Sequence, residues 1–185
     1  MAVTAAGTPY VESSDLLANY PGVSLALANH IDTIGKVLQV VSTTKTDTFS
    51  ATSTTFTDVT GLSATITPTK TSNTIIVTVS IPYGHSANNN LMFTVRDASN
   101  NVLLSPASSG SRLSAFMAGI VNSVDTLRVA SFTFRHAPST TSAFTYKVSC
   151  ATTGGTLFVN RSSTDSDNIS YGRGVATVTL MEISA

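Results

Sequence analysis

Charge is what this chain of 185 residues has least of. Only 11% of its residues are charged, ten basic against ten acidic, so its affinity for water has to come from hydroxyls and amides. The absence of net charge removes the long-range attraction by which a general nucleic-acid or anionic-membrane binder finds its target. Neutrality favours association instead. Beside the plain reading of a neutral globular protein stands a sharper one, a subunit covered largely by copies of itself or by a shell.

Cysteine is nearly absent too. Cys150 has no partner, which excludes a disulfide framework and gives no sign of an oxidising compartment; the thiol is expected in the core. The start, Met1-Ala2-Val3-Thr4-Ala5-Ala6-Gly7, has neither the basic segment nor the apolar run of a signal peptide. No apolar stretch reaches membrane-spanning length, so a cytoplasmic site of synthesis without membrane insertion is expected. The sequons at Asn160 and Asn168 are read as chance.

The starting residues of catalysis are also missing. His30, His85 and His136 lie in different segments without ligand-type neighbours at metal-site spacing. Asp165-Ser166-Asp167-Asn168 opens like a calcium loop but lacks the later glycine and glutamate, and reads better as a solvated loop. There is no Gly-x-Ser-x-Gly elbow, phosphate-binding loop or Gly-x-Gly-x-x-Gly. A triad of distant residues stays formally open, but abundant serine makes that uninformative. The expectation is no catalytic residue, no metal and no cofactor.

What is present divides at Gly35. Residues 1–35 form an arm: Pro9 and Tyr10 begin it, Pro21-Gly22 interrupts it, and Leu25, Ala26, Leu27, Ala28, Ile31 and Ile34 have the spacing of a short helix from Ser24 to Gly35. Such a helix is too short to stand alone in water. Its partner surface is either its own domain or neighbouring subunits. Tyr10, Leu16, Leu17, Tyr20, Leu25, Leu27 and Ile31 are the candidate attachment residues.

From Lys36 to Ala185 the period changes to two. Strands are predicted over Lys36–Ser42, Thr46–Thr52, Ser63–Thr67, Thr74–Ile81, Leu91–Asp97, Leu127–His136, Ala143–Ala151, Thr156–Asn160 and Gly174–Ile183. Ile75, Val77, Val79 and Ile81 share one face, with Ile76, Thr78 and Ser80 on the other. Phe144, Tyr146 and Val148 are expected to face inward with Val178 and Leu180. Leu113 to Val121 fits a strand or a short helix. About nine strands divided by polar turns make an all-β fold, an antiparallel β-sandwich or jelly roll, preceded by an extended arm and short helix.

Two stretches carry a resemblance. Thr8-Pro9-Tyr10-Val11-Glu12-Ser13-Ser14-Asp15-Leu16-Leu17-Ala18-Asn19-Tyr20-Pro21, with Ser24-Leu25-Ala26-Leu27-Ala28-Asn29-His30-Ile31-Asp32, resembles the N-terminal segment of tailed-bacteriophage virion proteins, notably tail-fibre proteins. Gly35 to Ser42, Phe56 to Leu62 and the closing Thr177 to Ile183 are similar to β-domains in phages of aquatic bacteria, including cyanophages. The middle, from about Pro82 to Gly172, carries no such resemblance. What it implies is a virion structural protein, assembled in a host cytoplasm, with other virion proteins of the tail, baseplate or capsid as partners.

Within that implication one reading is a short tail fibre or tail-associated adhesin, a homo-oligomer and most simply a homotrimer. Its candidate contacts for a host surface glycan are the polar loop groups Tyr83, His85, Asn88, Asn89 and Asn90. The alternative is a head decoration or cement protein that clamps capsid subunits. A carbohydrate-active enzyme on a jelly roll, the third reading, lacks an evident pair of carboxylates.

Overall fold

Alternation of apolar and hydroxyl residues along Thr74–His85 organises the whole molecule, because a strand with that period buries one face and can pair along both edges. The computed structural model describes residues 2–3, 9–10, 24–25, 35–107, 110–120 and 125–185. Two short strands, β1 (Ala2–Val3) and β2 (Pro9–Tyr10), pair antiparallel with each other. They are followed by β3 (Val37–Lys45), β4 (Phe49–Ala51), β5 (Thr57–Ile66), β6 (Thr74–His85) and β7 (Asn90–Arg96). Then come β8 (Met117–Ile120), β9 (Arg128–His136), β10 (Phe144–Thr152), β11 (Leu157–Val159) and β12 (Ala176–Ile183). All described elements are strands. Of the helix expected from Ser24 to Gly35, only Ser24, Leu25 and Gly35 fall within the described residues.

The first sheet runs β3-β12-β6-β9. Beyond the end of β12 the same edge of β6 continues onto β11, which pairs in turn with β4. The second sheet runs β5-β10-β7-β8. With the short β4 and β11 set aside, eight strands remain in the sandwich, and they pair as nested partners: β3 with β12, β5 with β10, β6 with β9, and β7 with β8. First with last, second with seventh, third with sixth and fourth with fifth is the winding of a jelly roll.

Between the sheets lie Ile75, Val77, Val79 and Ile81 of β6, with Val178 and Leu180 of β12, all fully buried. They face Tyr146, Val148 and Cys150 of β10 and Leu91 and Phe93 of β7. Burial pushes the Cys150 thiol up to about 12, and it packs as a small apolar group. Phe144 differs from its expected place. As the first residue of β10 it is only half-buried, with its ring 5.2 Å from that of His136 and 5.0 Å from that of Tyr146.

β5 is longer than predicted because Gly61 hides half of it. Gly61 takes φ +81, and against β10 the register jumps from Ser63↔Lys147 to Asp58↔Ser149. Five residues on β5 therefore answer two on β10, a bulge at the glycine. It lets Val59 and Leu62 both turn inward although they are three apart. The ambiguous segment after Leu113 resolves as strand β8, antiparallel to the start of β7.

Buried polar groups fasten the ends of the sandwich. Asn160, at φ 64, donates its backbone N–H to Pro82 O and accepts from Gly174 N. Its side-chain Nδ2 donates to Lys45 O and Asp47 O, at 2.8 and 2.9 Å. Two carbonyls facing one nitrogen fix the amide orientation. At the opposite end the buried Glu182 carboxylate accepts from Thr69 N at 2.7 Å, Thr69 Oγ1 at 2.9 Å, Asn73 Nδ2 at 2.6 Å and Gln39 Nε2 at 2.5 Å. Burial alone would raise its pKa, but the donors from Asn73, Gln39 and Thr69 outweigh burial and hold it at about 2.

The Glu182 contribution has a defined pH window. Its folded pKa lies below the ordinary 4.5, so the stabilisation is full above that value and is lost as pH falls towards 2. Glu182→Gln points an NH2 group at existing donors and is expected to cost about 2–3 kcal/mol at neutral pH. In urea titrations from pH 7 downwards the gap between wild type and variant should narrow as the acid limit is approached. A pH-independent gap would contradict this account.

Candidate functional site

The outer face of the first sheet is a register-aligned grid. Thr44, Thr177, Ser80 and Ser131 form one row across β3, β12, β6 and β9; Ser42, Thr179, Thr78 and Thr133 form the next. The third row is Val40, Met181, Ile76 and Arg135. Twelve outward positions thus hold eight hydroxyls and one charge. Ser42 Oγ lies 3.0 Å from Thr179 Oγ1, and Thr78 Oγ1 lies 3.1 Å from Thr133 Oγ1. Hydroxyl pairs across strands reinforce the ladder. They also cost less to desolvate than ions.

The second sheet carries a clustered set of charges, Asp58 on β5, Arg96 on β7 and Lys147 on β10. Asp58 accepts from Arg96 Nη2 at 2.5 Å, Lys147 Nζ at 2.9 Å and Ser149 Oγ at 2.7 Å. Burial raises the Asp58 pKa, but Ser149, Lys147 and Arg96 together bring it to about 2. Two cations and one anion are locked together across β5, β10 and β7.

The expected glycan-contact loop divides. Tyr83 and His85 are buried, and a buried ring cannot present itself to a saccharide, so these two are corrected to structural residues. Tyr83 packs against Phe93 with centroids 5.5 Å apart. His85 Nε2 lies 2.7 Å from Thr152 Oγ1, and Nδ1 lies 2.7 Å from Ala87 O. Gly155, at φ +67, comes so close that a Cβ there would sit 2.8 Å from the imidazole. The histidine therefore closes the turns after β6 and β10 upon each other. Asn88 and Asn90 are exposed and Asn89 is half-buried.

Asn90 also lines a groove of about 580 Å³ on the outer side of the second sheet, beside Met92, Arg112 and Thr153. This groove has no counterpart in the sequence reading, since it is assembled from four separate segments. Of the arm residues, Tyr10 lies in β2 and Leu25 is exposed. Leu16, Leu17, Tyr20, Leu27 and Ile31 lie outside the described residues. Among the described residues no group of three or more His, Cys, Asp or Glu side chains is placed to hold a metal ion.

No protein-family model matches the chain, and no curated protein matches it in sequence. In three dimensions it is similar to Eiger TNF from S. frugiperda, at 10% identity and a TM-score of 0.46 over 80% of this chain and 94% of that one. It is similar to the infectious bursal disease virus Gx strain structure at 13% identity and a TM-score of 0.37, covering 83% of this chain and 37% of the other. A third likeness is the enzymatically active domain of bacteriophage CBA120 tailspike protein 4, at 11% identity and a TM-score of 0.30, covering 68% and 18%. Scores and identities this low let none of the three carry an assignment.

Substitutions separate the structural from the presented groups of the loop. His85→Ala leaves Thr152 and the Ala87 backbone without their partner and opens a cavity, an expected cost of about 2–4 kcal/mol. Asn88→Ala should stay within about 0.5 kcal/mol, as exposed sites do. Urea unfolding of the two variants tests the assignment; equal costs would refute it.

Proposed function

We propose that the chain is a non-catalytic structural protein of a bacteriophage particle, a short tail fibre or tail-associated host-adhesion protein that works as a homo-oligomer, most simply a trimer. The hydroxyl-rich grid on the first sheet, with one charge in twelve positions, carries this reading. A hydroxyl both donates and accepts, so a lattice of hydroxyls is complementary to a copy of itself, whereas a face of one charge sign repels its copy. The sequence resemblance of the arm and of the first and last strands to tailed-phage virion proteins supplies the particle.

Area assigns a role to the arm. At ~4.8 Å between strands and ~6.8 Å between rows, the grid spans roughly 400 Å² of sheet plane, about half of what each partner buries in a standard interface. The remainder falls to the segment before Gly35, whose apolar side chains gain most in a groove on another chain. A head decoration protein would use the same neutral face, and counting copies per particle separates the two: a low number fits a tail, a capsid-scale number a decoration protein.

Light scattering at micromolar concentration tests the self-association. Wild type should be oligomeric, and Ser42→Lys with Thr133→Lys, which puts like charges on both edges of the grid, should yield a folded monomer. A monomeric wild type, or an unaltered oligomer in the double variant, would refute the assignment of the face. Deleting the residues before Gly35 should leave the β-domain folded but unable to enter particles. Normal incorporation of the truncated chain would make the β-domain itself the anchor.

A further inference from the structure

β9 is the outer strand of the first sheet on the side away from β3, and its free edge stands open. Asn160 N–H donates to Pro82 O and Ser86 N–H to Thr156 O, which puts the even-numbered residues of β6 on its β11 and β12 side. The odd-numbered ones therefore bond to β9, whose partners in the unbroken register from Ile75↔His136 to Tyr83↔Arg128 are even-numbered. The backbone N–H and C=O groups of Val129, Ser131, Thr133 and Arg135 are left pointing away from the sheet, and among the described residues no strand takes them up. The side chains of these four residues are exposed as well.

Proteins normally blunt an edge of this kind by shortness, a bulge, proline or cover. Here β8 is four residues long and β4 three, β5 is broken by its bulge, and β3 packs against β5 and slips register where it meets Ile183. β9 has nine residues, no proline and no bulge. Its charge is of one sign. Arg128 at one end and Arg135 near the other lie seven positions apart and so on opposite faces, and neither has an ion pair or a side-chain hydrogen bond among the described residues. A second copy's β9 would bring four arginines to one seam. β3, β4 and β8 carry no carboxylate to meet them, and Asp58 of β5 is held by Arg96 and Lys147.

We propose that the edge of β9 receives an extended acidic segment of another protein, which adds to the first sheet as a further antiparallel strand. The outward backbone groups of four residues supply the affinity, and a carboxylate opposite each arginine selects the segment. These backbone groups lie in the plane of the sheet, so the edge stays open whether or not copies associate through the hydroxyl face. The acidic partner is additional to the self-association proposed above.

Full-length protein titrated with the fluorescein-labelled peptide Glu-Thr-Val-Thr-Val-Thr-Val-Glu, whose carboxylates have the spacing of the two arginines, tests the edge. The same peptide with Gln or with Lys in place of both Glu residues is the comparison. Fluorescence anisotropy should show the acidic peptide binding about fivefold or more tightly than the Gln peptide, and the Lys peptide more weakly still. Hydrogen exchange followed by mass spectrometry should confine the new protection to the segment around β9. Arg128→Gln with Arg135→Gln should bring the acidic and Gln peptides level. Ser131→Pro, which removes an N–H that β6 does not use, should abolish binding while the thermal unfolding midpoint holds. No binding, equal binding of the acidic and Gln peptides, protection at another edge, or undiminished binding by Ser131→Pro would each overturn the proposal. Amides of β9 that are protected before any peptide is added and lose that protection on dilution would make the edge a contact between copies, and would overturn it too. Light scattering reads the face contact separately, so failure of one proposal does not carry the other with it.

Discussion

The register of β6 is the constraint on which the rest of the structure depends. This strand pairs with β12 and then β11 along one edge and with β9 along the other. Its side chains alternate, so a slip of one residue against either neighbour would bring Thr78 and Ser80 into the core and expel Val77 and Val79. Burial of Ile75, Val77, Val79 and Ile81 forbids that slip. The same register that seals the core therefore lines up the hydroxyl rows on the far side, and the grid follows from the packing within.

A jelly roll wound around one strand leaves its corners to be closed by polar contacts, and each corner here uses a different device. Asn160 spends its backbone and its amide on the gap between β11 and β12 and on the corner after β3. The Lys45 ammonium, almost wholly buried, reaches the exposed Asp47 at 2.7 Å on that same corner. Glu182 gathers the loop after β5 against β3 and β12 through neutral donors only. Polar groups buried with several partners define one geometry where apolar contacts would tolerate several. That rigidity is what presents the grid and the groove as fixed surfaces.

The sequence was legible where burial is local and periodic. The strands around Ile75–Ile81, Leu91–Val95 and Val178–Leu180 declare themselves by alternation, and the antiparallel sandwich follows from their number. Of β5 only the part after Gly61 was predicted as strand, because the bulge at this left-handed glycine interrupts the alternation inside the strand. Tyr83 and His85 read as loop residues because polarity and proximity to Asn88–Asn90 suggested solvent, yet β6 runs on through His85 and takes both inside. Phe144 read as core because its alternation is correct; its place at the open end of the strand is a matter of length, which periodicity does not carry. The grid and the groove were illegible for a deeper reason. Each is defined by which residues stand side by side on different strands, and that depends on register across long sequence separations.

Low charge content, seen along the chain, is a statement about composition; seen on the folded sheets it becomes a statement about placement. Asp58 is shared by Arg96 and Lys147 on the second sheet, and Arg173 pairs with Asp165 in the loop before β12. The three outward rows of the first sheet keep one guanidinium, Arg135, while Lys45 and Glu182 of that sheet are buried. A protein that needed only solubility would gain by spreading its few ions over both faces, because each exposed ion deters contact between copies. Keeping all but one ion out of the outward rows leaves that face with little of the deterrent, over the very sheet whose register is most strongly fixed. Neutrality of this kind is a property of a face, and composition alone cannot state it.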